Sequence, residues 1–237
     1  MRPEFETSSG AIAVGTQSAD NLALQRHRVL RNTYLLLAIT LVPTLFGALI
    51  GYNVTLGIFR AYPIMSAIGV LAIVYGMFFA IEKFKNTSMG VVLLLGLTFF
   101  LGFILGPLLR GALGMQNGAQ LVAMAAGGTA AVFFTMAGVA TTTKRDLSFM
   151  GNFLMIGCVV VMLAVVANIF VASPVLHLTI CAVFVLLSSA LILWQVNQIV
   201  TGGETNYVSA TLSLYMSVYN LFSSLLQLLM ALTGNKD

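Results

Sequence analysis

Charge is what this sequence has least of. Only 8% of its 237 residues are charged, 11 basic and seven acidic, while 59% are hydrophobic. Ordinary soluble domains carry roughly 25% charged residues. Without them a water-soluble surface of this size has too little polar cover, so a globular cytosolic or secreted fold is excluded. Cysteine is scarce too. Cys158 and Cys181 both lie inside apolar runs, where a thiol behaves as a small hydrophobe, and neither a disulfide nor a metal role is assigned to them. The two histidines, His27 and His177, stand far apart with no spaced partners, so no metal site or cofactor is expected. No His-Glu-x-x-His, no Gly-x-Ser-x-Gly elbow and no phosphate-binding glycine loop occurs, so the chain carries no residue support for an enzyme.

The sharpest absence is positional. Glu4, Glu6, Asp20, Glu82, Asp146, Glu204 and Asp237 all sit in tails or connections, and no Asp, Glu, Lys or Arg lies near the middle of an apolar block. Ion and proton pathways usually place ionisable groups within the membrane to replace hydration or carry the proton. Intramembrane aspartyl proteolysis would likewise need buried aspartates.

What is present is long apolar blocks. A helix rising about 1.5 Å per residue needs about 20 such residues to cross a hydrocarbon layer roughly 30 Å thick. Seven blocks qualify, at about Tyr34–Ile50, Pro63–Ile81, Met89–Leu109, Ala119–Ala140, Phe149–Ala172, Val175–Ile199 and Tyr207–Leu232. The fold class is therefore an all-α integral membrane protein of seven transmembrane helices. Residues 1–22 have no periodicity and read as a flexible tail; residues 23–237 read as a single helical domain with antiparallel neighbours, because the connections are short. No cleavable leader is visible, so the first span is expected to stay as an anchor.

Basic residues in alternate connections give the orientation. Arg2, Arg26, Arg28, Arg31, Lys83, Lys85, Lys144 and Arg145 fall on one side, and Arg60, Arg110 and Lys236 on the other. Positive charge favours the cytoplasm, which puts the amino terminus inside and, after seven crossings, the carboxyl terminus outside. The basic collar at Arg26–Arg31 also suits anionic headgroups of the lipid bilayer. Nothing in the composition points to nucleic acid.

Helix contact in lipid depends on small residues and shared hydrogen bonds. Gly47 and Gly51, Gly102 and Gly106, and Ala123 and Gly127 (with Gly128 beside them) are four apart and read as packing positions; Pro43 and Pro107 bend their helices, or Pro107 ends its own. On the last block Ser213, Ser217, Asn220, Ser224 and Gln227 follow steps of four and three, hence one face; on the sixth, Ser188 and Gln195 share a face. Polar side chains in hydrocarbon seek partners. These stripes either bond each other across helices or line a wet cavity, and they make the last helix the central one.

Several segments are similar to one known family. Gly202-Gly203-Glu204-Thr205-Asn206-Tyr207 and Ser213-Leu214-Tyr215-Met216-Ser217-Val218-Tyr219-Asn220-Leu221-Phe222 resemble the end of the Bax inhibitor (TMBIM) family, most of all its bacterial YccA-like branch. His27–Tyr34, Gly102–Pro107, Gly127–Ala130 and Lys144–Phe149 extend the resemblance, in order, over nearly everything after residue 25. It implies a seven-helix bundle with the last helix surrounded by the other six. It also implies two functions. Many members resemble calcium leak channels gated by a hydrogen-bonded pair of aspartates, whose positions fall here on Gln195 and Ser217, neither ionisable. The bacterial branch instead implies an inner-membrane modulator and binding partner of the membrane-bound ATP-dependent protease FtsH; the 22-residue tail reads either as a handle for such a protease or as an inert segment. The protease modulator is the leading expectation; a calcium or cation leak without the di-aspartyl gate is the alternative.

Overall fold

The computed structural model describes residues 8–54, 63–143 and 147–234. Arg2, Glu4, Glu6, Arg60, Lys144, Arg145, Asp146, Lys236 and Asp237, counted above for charge, lie outside the described residues. Among the described residues seven long helices follow one another: α1 Ser8–Asn53, α2 Pro63–Phe84, α3 Ser88–Leu113, α4 Gly118–Thr142, α5 Phe149–Val171, α6 Pro174–Thr201 and α7 Tyr207–Gly234. Each contains a stretch long and apolar enough to span a bilayer. A helix satisfies its own backbone hydrogen bonds where no water can do so, which is why apolar blocks of this length take that form.

Local chemistry sets the ends. At the start of α6 the Ser173 hydroxyl accepts from Leu176 N at 3.4 Å, and Pro174 occupies the first helical position, where its missing N–H costs nothing. Gly202 closes the same helix at φ 90°, a left-handed conformation that favours glycine, and its N–H returns to Gln198 O and Ile199 O. The amino end differs from the sequence reading: α1 runs back to Ser8, through the segment expected to be a tail. That stretch holds several alanines and no proline, and a helix already nucleated in the membrane extends cheaply into such a sequence. Pro107 does not end α3, which continues to Leu113.

The tightest helix pair is α1 with α3. A β-carbon on Gly47 would collide with the Phe99 carbonyl, one on Gly51 with that of Phe103, one on Gly102 with that of Thr44, and one on Gly106 with the Gly51 backbone. The two glycine pairs therefore interlock backbone to backbone. Ala123 and Gly127 do not behave this way. Both are exposed, and nothing lies within 4 Å of where a Gly127 β-carbon would be. The buried face of α4 is Leu121, Ala125 and Thr129 instead, so the small pair looks out toward lipid.

Central in the bundle stands α7, with eleven buried residues. It packs against α1, α2, α3, α4 and α6, whereas α5 docks on α6. The main core surrounds it: Leu36, Ile81, Leu94, Leu97, Ile192 and Val196 close on Leu212, Leu214, Tyr215 and Leu221. A second, smaller cluster joins Ala112, Leu121, Ala125 and Leu226 near the carboxyl end of α7.

Candidate functional site along the α6–α7 seam

Polar groups in hydrocarbon must be satisfied by other protein groups, and along α7 they meet four different environments. At the amino end of α7, a clasp binds the α6–α7 connection to the α2–α3 connection. Ser209 donates to Glu82 Oε1 at 2.6 Å, and Lys85 Nζ holds Glu82 Oε2 at 2.8 Å. The same carboxylate pushes the Lys85 ammonium above its ordinary range, through the hydrogen bond first and the Coulomb attraction second. Asn206 caps α7 by accepting from Val208 N and Ser209 N, and its amide donates to Asn86 Oδ1 at 2.8 Å and to Lys85 O at 3.3 Å.

Two turns deeper, Tyr215 ties three helices. Thr44 Oγ1 donates to Thr40 O at 2.8 Å, so its remaining lone pair accepts from the Tyr215 hydroxyl, also at 2.8 Å. The Tyr215 hydroxyl lies 3.4 Å from Thr98 O on α3. Its neighbour Tyr219, stacked on it at 6.2 Å between ring centroids, donates to Leu101 O at 3.2 Å. An aromatic body with a polar tip suits this position, because each ring fills the core and each hydroxyl finds a carbonyl or hydroxyl on another helix. Sequence reasoning passed over these two tyrosines as contacts; two phenols four residues apart inside an apolar block were the available signal.

On the opposite side of α7, Gln195 and Ser217 meet. Ser217 Oγ is 3.2 Å from Gln195 Oε1 and 3.1 Å from Ser213 O. One hydroxyl has one proton, so these acceptors share it. Ser217 is buried and Gln195 half-buried. The pair is neutral and uncharged at any physiological pH, and it stitches α6 to α7 where the resemblance implies two carboxylates. Ser188, on the same face of α6, is buried as well.

Toward the carboxyl end of α7 the seam opens. A cavity of about 270 Å³ lies among α5, α6 and α7, lined by Asn168, His177, Cys181, Asn220, Ser224 and Gln227 among others. The Gln227 amide donates to Ser223 O at 3.0 Å, which fixes its Oε1 as an acceptor. His177 Nε2, 2.7 Å from that oxygen, therefore carries the ring proton in the bond. Asn168 Oδ1 is buried with no partner among the described residues. Of the polar stripe, Ser213 and Ser217 belong to the closed part of the seam, and Asn220, Ser224 and Gln227 to the open part. No group of three or more His, Cys, Asp or Glu capable of holding a metal occurs among the described residues.

Comparison with known proteins shows the family. The family model described as "Inhibitor of apoptosis-promoting Bax1" matches residues 26–234. A protein of Escherichia coli strain K12 named "Modulator of FtsH protease YccA" is 46% identical over 206 residues, covering 87% of this chain and 91% of that protein. The counterpart from another Escherichia coli strain, at the same identity and coverage, is named "Inner membrane protein YccA". An uncharacterised protein of Neisseria meningitidis is 44% identical over 214 residues, 89% of this chain and 94% of its own length.

Proposed function

The chain belongs to the Bax inhibitor family, and from that premise we propose that it is an inner-membrane modulator that binds and restrains an FtsH-type, membrane-bound ATP-dependent protease. One observation carries the reading: the close likeness, over nearly the whole chain, to a relative named as a modulator of that protease. The seam supports it. Gln195 and Ser217 bond each other as neutral groups in the place where a carboxylate gate would sit, so the central helix is tied into the bundle rather than poised to titrate. On the loop-charge count the amino terminus is cytoplasmic and the carboxyl terminus periplasmic. That places residues 1–22 on the side where an ATP-driven protease works, with the interlocked bundle behind them resisting extraction. The test is to overproduce the protein and follow turnover of a membrane substrate of the protease. Slowed turnover with co-purification of the protease is expected; unchanged turnover without co-purification refutes the proposal.

A second reading, a calcium or cation leak path, has one observation in its favour: the polar cavity bounded by Asn168, His177, Asn220 and Gln227 at one end of the seam. Purified protein in liposomes loaded with a calcium dye decides it. Flux no greater than that of empty vesicles between about pH 5 and 8, the range in which a raised carboxylate or a histidine titrates, removes it.

A further inference from the structure

Between α1 and α4 the bundle is not closed. The two helices do not pack as a pair; they touch where the Tyr34 ring meets Phe133 edge-on, 6.0 Å between centroids. Beside that contact lies a groove of about 880 Å³ that opens sideways from the bundle, walled by Ala38 and Leu41 of α1 and Ala126, Ala130 and Phe133 of α4, and floored by Phe222 of α7. The walls are carbon almost throughout. In a bilayer such a groove fills with hydrocarbon, because a void would forfeit dispersion contacts on every wall.

The amino end of α1 supplies the opposite chemistry. Arg31 precedes Tyr34 by three residues and Ala38 by seven, so it continues the groove-lining stripe of α1. Arg28 lies one turn before it on the same side. Both arginines are exposed, and the one ion pair among the described residues, Lys85 with Glu82, uses neither. Arg26 is placed differently: its Nε would stand 2.8 Å from a β-carbon on Gly202, so its guanidinium lies over the carboxyl end of α6, where a cation is favoured. The Tyr34 hydroxyl, at the groove's mouth, has no hydrogen-bond partner among the described residues.

We propose that this groove is a binding site for one anionic phospholipid, with an acyl chain between α1 and α4 and its phosphate held by Arg28 and Arg31. The dimensions agree. From Tyr34 to Thr44, both lining the groove, α1 rises about 15 Å, the depth of one leaflet of a hydrocarbon layer roughly 30 Å thick. Guanidinium groups bind phosphate oxygens in bidentate fashion, and the phenol of Tyr34 is placed to donate to an ester or phosphate oxygen just below. A zwitterionic lipid would fill the groove equally well but would gain less from the two arginines.

The site is tested by native mass spectrometry of the detergent-purified full chain, after exposure to phosphatidylglycerol and phosphatidylethanolamine with identical acyl chains. Wild type is expected to retain one phosphatidylglycerol with about thirtyfold preference, the scale of two juxtamembrane arginines at about 1 kcal/mol each. The R28Q/R31Q variant should bring the preference close to parity. Ala130→Phe, or Ala126→Leu should that variant fail to fold, should reduce retention of both lipids. Equal retention of the two lipids by wild type, an unchanged preference without the arginines, or unchanged retention with the groove filled overturns the proposal. So does finding a protein helix on this face in place of lipid. The outcome is separable from the protease reading, which it does not require.

Discussion

Gly102→Ala adds a single methyl group and should destabilise the bundle, because it falls where α3 lies backbone to backbone against α1. A β-carbon there would stand 2.8 Å from both Thr44 C and Thr44 Cα, and closer still to the Thr44 carbonyl oxygen. Ordinary carbon contacts lie near 3.5–4.0 Å, so α1 would have to retreat by about 1 Å. Backbone is what stands in the way, not the flexible end of a side chain, so no rotamer change relieves the clash. Overpacking of this kind costs typically 1–3 kcal/mol. The retreat also carries Thr44 Oγ1 away from the Tyr215 hydroxyl, now 2.8 Å off, and interhelical hydrogen bonds in membranes are worth about 0.6 and at most about 1.7 kcal/mol. The sum is about 2–5 kcal/mol, and alanine's better helix propensity offsets about 0.8–1 of it, leaving about 1–4 kcal/mol. At about 2–4 °C per kcal/mol for a chain of this size, the melting temperature in detergent or nanodiscs should fall by about 2–16 °C. Gly127→Ala is the control, because it meets nothing within 4 Å and alanine is the better helix former by about 0.8–1 kcal/mol. It should leave the melting temperature unchanged or raise it. If Gly102→Ala melts with wild type, or if Gly127→Ala falls as far, the interlock of α1 and α3 is not what holds the bundle.

Tyr215→Phe keeps the ring and removes the hydroxyl that Thr44 accepts from; Thr44 still donates to Thr40 O, so the loss should be about 0.6 kcal/mol and below about 1.7, read as a small fall in melting temperature. A drop as large as that of Gly102→Ala would show that the hydroxyl does more than tie α7 to α1. Ser209→Ala cuts the 2.6 Å bond to Glu82; since the Glu82 side chain is 46% exposed, the cost should sit near the low end for charged hydrogen bonds, about 1 kcal/mol, with no effect on any ion flux. Gly127→Leu should fold as wild type, yet if the outward small-residue face of α4 is where the protease's membrane helix packs, co-purification of the protease should fall; retention of a full complement removes that face from the interface. Gln195→Asp combined with Ser217→Asp would put two carboxylates where a 3.2 Å contact now stands, raising one pKa by like-charge repulsion. Calcium flux in dye-loaded liposomes should become pH-dependent in the double variant and stay flat in wild type; a flat profile in both would show that the site does not gate.

How much of this was legible in the sequence depended on the range of the interaction. Hydropathy needs only neighbours along the chain, and the block read as residues 175–199 is the helix Pro174–Thr201, that read as 149–172 the helix Phe149–Val171. The helical extension to Ser8 escaped the same reading, because alanine and polar residues carry little hydropathy and only their helix propensity speaks. Glycine spacing was half a signal. Gly47, Gly51, Gly102 and Gly106 interlock, while Ala123 and Gly127, equally spaced, face outward. Spacing says that a backbone can come close; only the partner's position says that one does. Pairs such as Thr44 with Tyr215, 171 residues apart, and Glu82 with Ser209, 127 apart, had no local sign at all.

The polar stripe of α7 shows what that difference means for function. As a run of residues at steps of three and four it reads as one feature, and a pore and a seam predict the same run. In three dimensions it divides. Ser217 shares its proton between Gln195 and Ser213, and Tyr215 and Tyr219 on the opposite face bond α1 and α3. Asn220, Ser224 and Gln227 instead border the cavity with His177 and Asn168. A conducting path would have to pass from that cavity through the Gln195–Ser217 contact and on past the buried main core around Leu212 and Leu214. That route offers an ion two neutral side chains and then hydrocarbon, where replacing a hydration shell takes charged or several converging oxygen groups. The same arrangement suits the proposed modulator, which would have to stay folded against the protease's pull, and so the closed half of the seam favours restraint of the protease over conduction.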